Sequence, residues 1–265
     1  MEKLETLIYE KEGKIAFVSL NRPQKLNAVN SQMDDELAAV WNDFKEDTNL
    51  LVAVLTGSGR AFCAGIDMAE FMKSEKGASL VHFDSNGDPY LQQGPKQCNV
   101  WKPLVLAVNG ACVGGAFHFV NDADIVICSE DAWFGDAHVT VGQVSTTEPL
   151  GLSLKLPLDA VMRIALMGAD ERLSAQRAYQ LGLVGEVLPR EQLLPRATEI
   201  AKSIAKNAPL AVIGSLKAIR RGVALQLRDA ITMGRAIAYQ NWNNKDSQEG
   251  PRAWTEKRAP QWKGS

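Results

Sequence analysis

Three short runs in this chain are apolar almost throughout: "LLVAVLTG" at residues 50–57, "PLVLAVNG" at 103–110 and "ADIVICSE" at 123–130. A strand with one wet face alternates apolar and polar residues. A strand that stays apolar is covered on both faces, as in the parallel sheets of α/β proteins. Each run gives way to a glycine-marked or acidic turn and then to a shorter apolar stretch, in "SGRAFCAGIDM", "ACVGGAFH" and "AWFGDA". Strand, strand and helix recur in that order. The expected class is α/β, a layered spiral, and not an all-helical bundle.

The flanks fit the same class. "TLIYE" and "KIAFVSL" alternate as paired strands with Glu12 and Gly13 at their turn. Ser31 is the expected cap of a helix running to about Phe44, with Met33, Leu37, Val40 and Trp41 on one side. Residues 70–100 are polar and irregular, as a functional cover loop would be. From Asp159 onward the pattern turns helical, with a stop at Gly168, a serine cap at Ser174 and long amphipathic stretches after Leu193. The basic tail carries Pro251, Trp254 and Trp262, which are expected to dock it.

Composition narrows the function. Net charge is −2 over 265 residues, which gives no electrostatic case for nucleic acid or an acidic membrane. No run approaches the roughly 18 apolar residues of a membrane span. The charged, alternating first residues do not read as a targeting segment, so the expected location is the cytoplasm. Cys63, Cys98, Cys112 and Cys128 form no C-x-x-C pair, so neither a metal site nor dithiol chemistry is expected. They read as small buried hydrophobes. A Cys63 nucleophile would need a base that its neighbours in sequence do not supply.

Two turns are candidates for chemistry, "CAGIDM" at 63–68 and "VGGAFH" at 113–118, each at the end of a buried strand. In layered α/β folds, ligands favour such strand ends. Glycine lets backbone approach a ligand closely, and the first amides of a helix point outward without partners. Two amides aimed at one point make an oxyanion hole. Gly114 and Gly115 would equally permit tight helix packing.

Taken in register, "NRPQKLNAVN", "LTGSGRAFCAGIDM", "KPLVLAVNGACVGGAFHFVNDADIVICSEDAWFG", "LSAQRAYQLGLVGEVLP" and "EGPRAWTEKRAPQW" resemble the crotonase superfamily, the enoyl-CoA hydratase/isomerase family, from about Leu4 to Trp262. The resemblance implies a crotonase-like spiral over residues 1–200 and a C-terminal helical region over 201–265 that packs trimers or dimers of trimers. It implies an acyl-CoA thioester substrate, with coenzyme A part of that substrate and no separate cofactor. The amides of Ile66 and Gly115 would hold the thioester oxygen and stabilise an enolate. Lys25, Leu26, Ala28, Ala64, Asp67 and Met68 would line the adenine and pantetheine path; the basic tail with Lys257 argues for a CoA phosphate site and reads equally as a solvated face.

The chain departs from the family at the acid/base positions. Family hydratases place one glutamate at the end of a "GGGxE" motif and a second in a later "PE" pair. His118 and His138 stand there instead, and "QVSTTEPLGLSLKL" replaces the usual "PGxGGTQRL". Imidazole, with an ordinary pKa of about 6.5, is suited to general acid/base work near neutrality. Asp122 or Asp136 is placed to fix a tautomer, the latter if its segment is extended. Glu148, on what reads as a surface loop, is a third catalytic candidate, and His82 a fourth. A carbon–carbon or thioester hydrolase on the same scaffold, and a non-catalytic acyl-CoA-binding relative, are the alternative readings.

Overall fold

The computed structural model describes residues 4–71, 94–241 and 244–265. His82 and most of the expected cover loop lie outside the described residues. The hairpin forms as expected: β1 (Leu7–Glu12) pairs antiparallel with β2 (Ile15–Leu20) around Gly13. The apolar runs become β3 (Val52–Gly57), β5 (Leu104–Val108) and β7 (Ile125–Ser129), added side by side and in parallel to β2. With β10 (Glu186–Leu188) they complete a sheet in the order β1-β2-β3-β5-β7-β10.

Both faces of that sheet are covered, as the unbroken apolar runs require. On one side, Ala53, Leu55, Leu104, Leu106 and Val108 join a core with Trp41, Phe44, Phe62 and Phe119. On the other, Val52, Val54, Val105 and Ile127 meet Leu193, Ala197 and Ala201 of α7 (Arg190–Ala205). Residue 200 therefore lies inside a helix that belongs to the sheet. Three more helices follow: α8 (Pro209–Gly222), α9 (Leu227–Asn241) and α10 (Lys245–Thr255).

The shorter apolar stretches build a second sheet, β4 (Ala61–Cys63), β6 (Ala111–Val113), β8 (Trp133–Gly135) and β9 (Leu173–Ser174). The chain climbs from the first sheet to the second three times, β3 to β4, β5 to β6 and β7 to β8. Each passage is one turn of the expected spiral. Helices α1 (Ser31–Glu46), α2 (Met68–Phe71) and α3 (Phe117–Asp122) alternate with these strand pairs.

Three local expectations change. Helix α1 is capped by Asn30, whose side chain accepts from the Met33 N–H at 3.1 Å, so Ser31 is its first helical residue. The tail is a helix capped by Asn244, and Trp254 on it is 86% exposed; only Trp262 docks, donating to Lys206 O at 2.7 Å. Residues 147–152 were expected as loop and instead form helix α4 (Thr147–Leu152). The Ser174 cap of α6 (Ala175–Leu181) stands as expected, and Gly182, in the left-handed region, ends the helix.

Candidate active site

The register of the second sheet assembles the site. Strands β4, β6 and β8 run parallel, with Cys63 opposite Cys112, and Val113 opposite Gly135. Their ends thus share one edge. The segments that follow, Ala64–Gly65–Ile66, Gly114–Gly115 and Asp136–Ala137–His138, converge around a cavity of about 280 Å³. Met68, Val113, Val141, Gln143, Val144, Thr146 and Glu148 complete its lining.

Two amides face each other at this edge. Val29 forms a parallel bridge to Ile66: its N–H donates to Gly65 O at 2.8 Å, and its carbonyl accepts from the Asp67 N–H at 2.8 Å. In a parallel bridge the central residue turns its own N–H and C=O to the opposite side. Ile66 N–H therefore points away from Val29. A Cβ built on Gly115 would lie 3.7 Å from that nitrogen and 3.3 Å from an Ile66 side-chain carbon. Gly115 is in the first turn of a 3-10 helix (Gly114–Ala116), where amides precede the first intrahelical bond. Gly65, at φ +89°, backs onto the same turn, its would-be Cβ 2.8 Å from Val113 O. Only glycine permits that conformation and that approach.

The imidazole and carboxylate groups form a chain beside these amides. Asp136 is 3% exposed, and its Oδ1 accepts from the His138 backbone N–H at 3.0 Å and faces His138 Nδ1 at 2.5 Å. Ser145 donates its hydroxyl to the other oxygen. Burial opposes ionisation of Asp136, but the hydrogen bonds from His138 and Ser145 outweigh it and hold the carboxyl below its ordinary range. A carboxylate only accepts, so the His138 proton sits on Nδ1 and Nε2 is turned to the cavity. The hydrogen bond to Asp136 is the main reason the His138 pKa lies above its usual value, against burial and with help from the Asp136 and Glu148 charges. The expected extended geometry is replaced: His138 has helical φ and ψ and caps a 3-10 turn, Val139–Val141. Two residues of tight turn bring ring and carboxylate together.

Glu148 links the two histidines. Its Oε1 lies 3.2 Å from His118 Nε2 and 3.7 Å from His138 Nε2, and Thr147 donates to its Oε2 at 3.1 Å. The residue is only 5% exposed, which corrects its reading as surface loop. Helix α4 carries it inward, held to α3 by Asn121 Nδ2 donating to Glu148 O at 3.1 Å. Burial would raise the Glu148 carboxyl; the His118 contact and the charge of both rings prevail and lower it. His118 itself does not line the front cavity. It borders a second pocket, of about 630 Å³, with Asn121, Asp122, Thr147 and Lys155. Asp122, a candidate for fixing its tautomer, instead accepts from the Lys96 N–H at 2.8 Å. Lys155, lowered to about 8 by burial, donates to Val120 O and Ala123 O and so secures the C-terminal end of α3.

The expected CoA-path residues divide. Ala64 and Met68 line the cavity. Leu26 and Ala28 lie on the loop beside it, tied by the Ala64 N–H to Leu26 O at 3.0 Å, with Lys25 exposed at its tip. The Asp67 carboxylate is engaged by Arg22 Nη2 at 3.0 Å, while Arg22 Nη1 donates to Ala28 O at 2.5 Å. It is buried and pinned as part of the frame. Lys257 stands exposed on the tail and lines none of the cavity. The cysteines are buried, as expected, and burial pushes the Cys63 thiol up to about 12. Among the described residues no histidine, cysteine and carboxylate cluster has a metal-binding arrangement, and no helix is long and apolar enough to cross a membrane.

The model of the enoyl-CoA hydratase/isomerase family matches residues 10–265. The chain belongs to that family. It is 31% identical to a probable mitochondrial enoyl-CoA hydratase of Dictyostelium discoideum, over 96% of this chain and 89% of the relative. It is 33% identical to the carnitinyl-CoA dehydratase of Proteus mirabilis, over 95% of this chain and 96% of that one. A crystal structure of an enoyl-CoA hydratase/isomerase from Mycobacterium paratuberculosis superposes with a TM-score of 0.89 at 39% identity, over 98% and 99% of the two chains. The family match and these superpositions establish the crotonase fold.

Proposed function

We propose that this family member acts on an acyl-CoA thioester through an enolate. The thioester oxygen sits between the amides of Ile66 and Gly115, and proton transfer falls to His138 and Glu148. One observation carries the reading: the register of β4, β6 and β8 brings Ile66, Gly115 and His138 around one cavity, which Glu148 of α4 also lines. Charge that develops on the thioester oxygen meets donors already in place, often the largest single contribution to catalysis. The names of the relatives, an enoyl-CoA hydratase and a carnitinyl-CoA dehydratase, support addition or removal of water on a CoA thioester. His138 Nε2 faces the cavity and takes or gives the proton; Glu148, shared with His118, compensates the charge that appears on the ring. His118 acts from behind Glu148. The reading needs no cofactor beyond the coenzyme A of the substrate.

A second reading has one observation in its favour. The Asp136–His138 pair, with Ser145 on the far oxygen, is a basic imidazole suited to deprotonating water against a carbonyl. That arrangement would serve hydrolysis of a thioester or of a β-keto carbon–carbon bond. The two are separated by following loss of the conjugated absorbance of a 2-enoyl-CoA and, separately, thiol release from saturated acyl-CoAs and chain cleavage of β-keto acyl-CoAs. Loss of conjugation without thiol release is the expected result. Thiol release or β-keto cleavage with the enoyl-CoA untouched favours hydrolysis. Tight binding with no turnover of any of them sinks both in favour of a binding protein.

A further inference from the structure

The Gly65–Ile66 peptide is held from behind, and one of the holding groups is a thiol. Cys63, the last residue of β4, accepts from the Gly65 N–H at 3.4 Å and reaches Gly65 O with its own S–H at 3.8 Å. The same carbonyl accepts from the Val29 N–H at 2.8 Å. A trans peptide is planar, with its C=O and the following N–H pointing in opposite directions. A Gly65 carbonyl fastened towards Val29 and Cys63 therefore directs the Ile66 N–H into the cavity. Val29 fixes one direction in that plane, and the thiol grips the amide on one side of Gly65 and the carbonyl on the other.

We propose that Cys63 is a positioning residue for the Ile66 amide, its thiol setting the orientation of the Gly65–Ile66 peptide plane. The assignment rests on the reading of Ile66 and Gly115 as an oxyanion hole, and it gives a polar role to a residue that otherwise reads as a small buried hydrophobe. The thiol is fully buried and lines none of the cavity, whereas Ala64, Gly65 and Ile66 do. Cys63 thus acts through the peptide and not on the substrate. Its neighbour across the strand pair, Cys112, lies on β6 and serves as the contrast. An aliphatic side chain at 63 would keep the apolar packing and remove both sulfur contacts, freeing Gly65, at φ +89°, to tilt. Serine keeps a donor and an acceptor on a shorter side chain.

The test compares wild type with Cys63→Ala, Cys63→Val and Cys63→Ser, and with Cys112→Ala as a control of equal burial. A saturated acyl-CoA carrying carbon-13 at its carbonyl is bound to each, and its carbonyl stretch is read by isotope-edited infrared spectroscopy. In wild type the stretch should fall below its value in solution. Ala and Val should lose part of that shift, with kcat on the turned-over thioester down about tenfold and KM unchanged, less than the roughly 10²-fold of removing a donor outright. Ser should restore most of both, and Cys112→Ala should leave the shift intact. A full shift retained in Ala and Val overturns the assignment alone, also where kcat falls only in step with the folded fraction. An unshifted carbonyl in wild type overturns the assignment together with the oxyanion-hole reading.

Discussion

Glu148 is the residue on which the site turns, because its carboxylate lies between the His118 and His138 rings. Removing its charge takes away the compensation that Glu148 adds to that of Asp136 when His138 ionises. Glu148→Gln is expected to lower kcat by about 10²-fold, the scale of a lost acid/base partner, with KM nearly unchanged because binding rests on backbone amides. His138→Ala should match it. His118→Ala should cost less, since that ring borders the rear pocket and reaches the substrate only through Glu148. A His118 variant worse than a His138 variant would reverse the order argued here. The pH profile follows from Asp136. Its hydrogen bond holds the His138 pKa above the ordinary value of about 6.5. As a base His138 must be neutral, so kcat/KM should fall as pH drops through an apparent pKa above about 6.5, a property of the coupled cluster. Asp136→Asn removes the largest raising contribution. The acid limb should then move to lower pH, while the plateau falls because the tautomer is no longer held. An unmoved limb would mean that another group is being titrated.

At the scale of elements, the strand ends were legible in the residues, and their meeting only through the resemblance to the family. Unbroken apolar runs announced covered strands, and glycines at 65 and 114–115 announced backbone exposed at their ends. What joins those ends is the parallel register of a second sheet whose strands are two or three residues long, too short to show periodicity. Glu148 was named as a candidate, but its burial was hidden for a related reason. Its burial comes from α4 packing on α3, a tertiary contact, while locally it sits in a polar "STTEP" run that reads as loop. The pairing of Asp67 with Arg22, distant in sequence, was likewise a tertiary contact that no local pattern shows. The strand-end geometry carries its own test. Gly115 does not need a positive φ, so Gly115→Ala should fold with its thermal midpoint little changed. The methyl group would stand 3.7 Å from the Ile66 nitrogen, in the space the thioester oxygen needs. Turnover is expected to drop by about 10²-fold or more. Near-wild-type kinetics in a folded Gly115→Ala protein would remove the oxygen from that space.

Over the whole molecule the distribution of apolar surface is uneven, and the uneven part touches the site. Helix α5 (Leu158–Met167) buries Val161, Ile164 and Ala165, as an amphipathic helix should. Its other side is apolar too, with Leu158, Met162 and Leu166 exposed at spacings of four. Asp159 and Arg163 share that side, so the exposed apolar residues form a stripe along it. A second stretch, Ile219, Val223, Leu225 and Leu227 across the turn from α8 to α9, is also uncovered in the single chain. Contiguous exposed apolar surface of this kind marks association, and closed symmetric assemblies of identical chains are the usual way to cover it. The expected state is a trimer or a multiple of it, measured by light scattering in dilute buffer; a stable monomer would defeat that expectation. The α5 face is not remote from chemistry. Helix α5 packs on the Val139–Val141 turn that follows His138, and the Thr140 hydroxyl of that turn accepts from the Ala169 N–H, just past the end of α5, at 3.0 Å. A neighbouring chain on α5 would therefore steady the backbone that aims His138. Leu166→Glu places a charge on the exposed stripe without touching the cavity. It should lower the scattering mass while circular dichroism stays native, and kcat should fall with the assembled fraction and recover as protein concentration is raised. A Leu166→Glu protein that runs as a monomer at full activity would separate assembly from catalysis, and the His138 turn would then be rigid on its own.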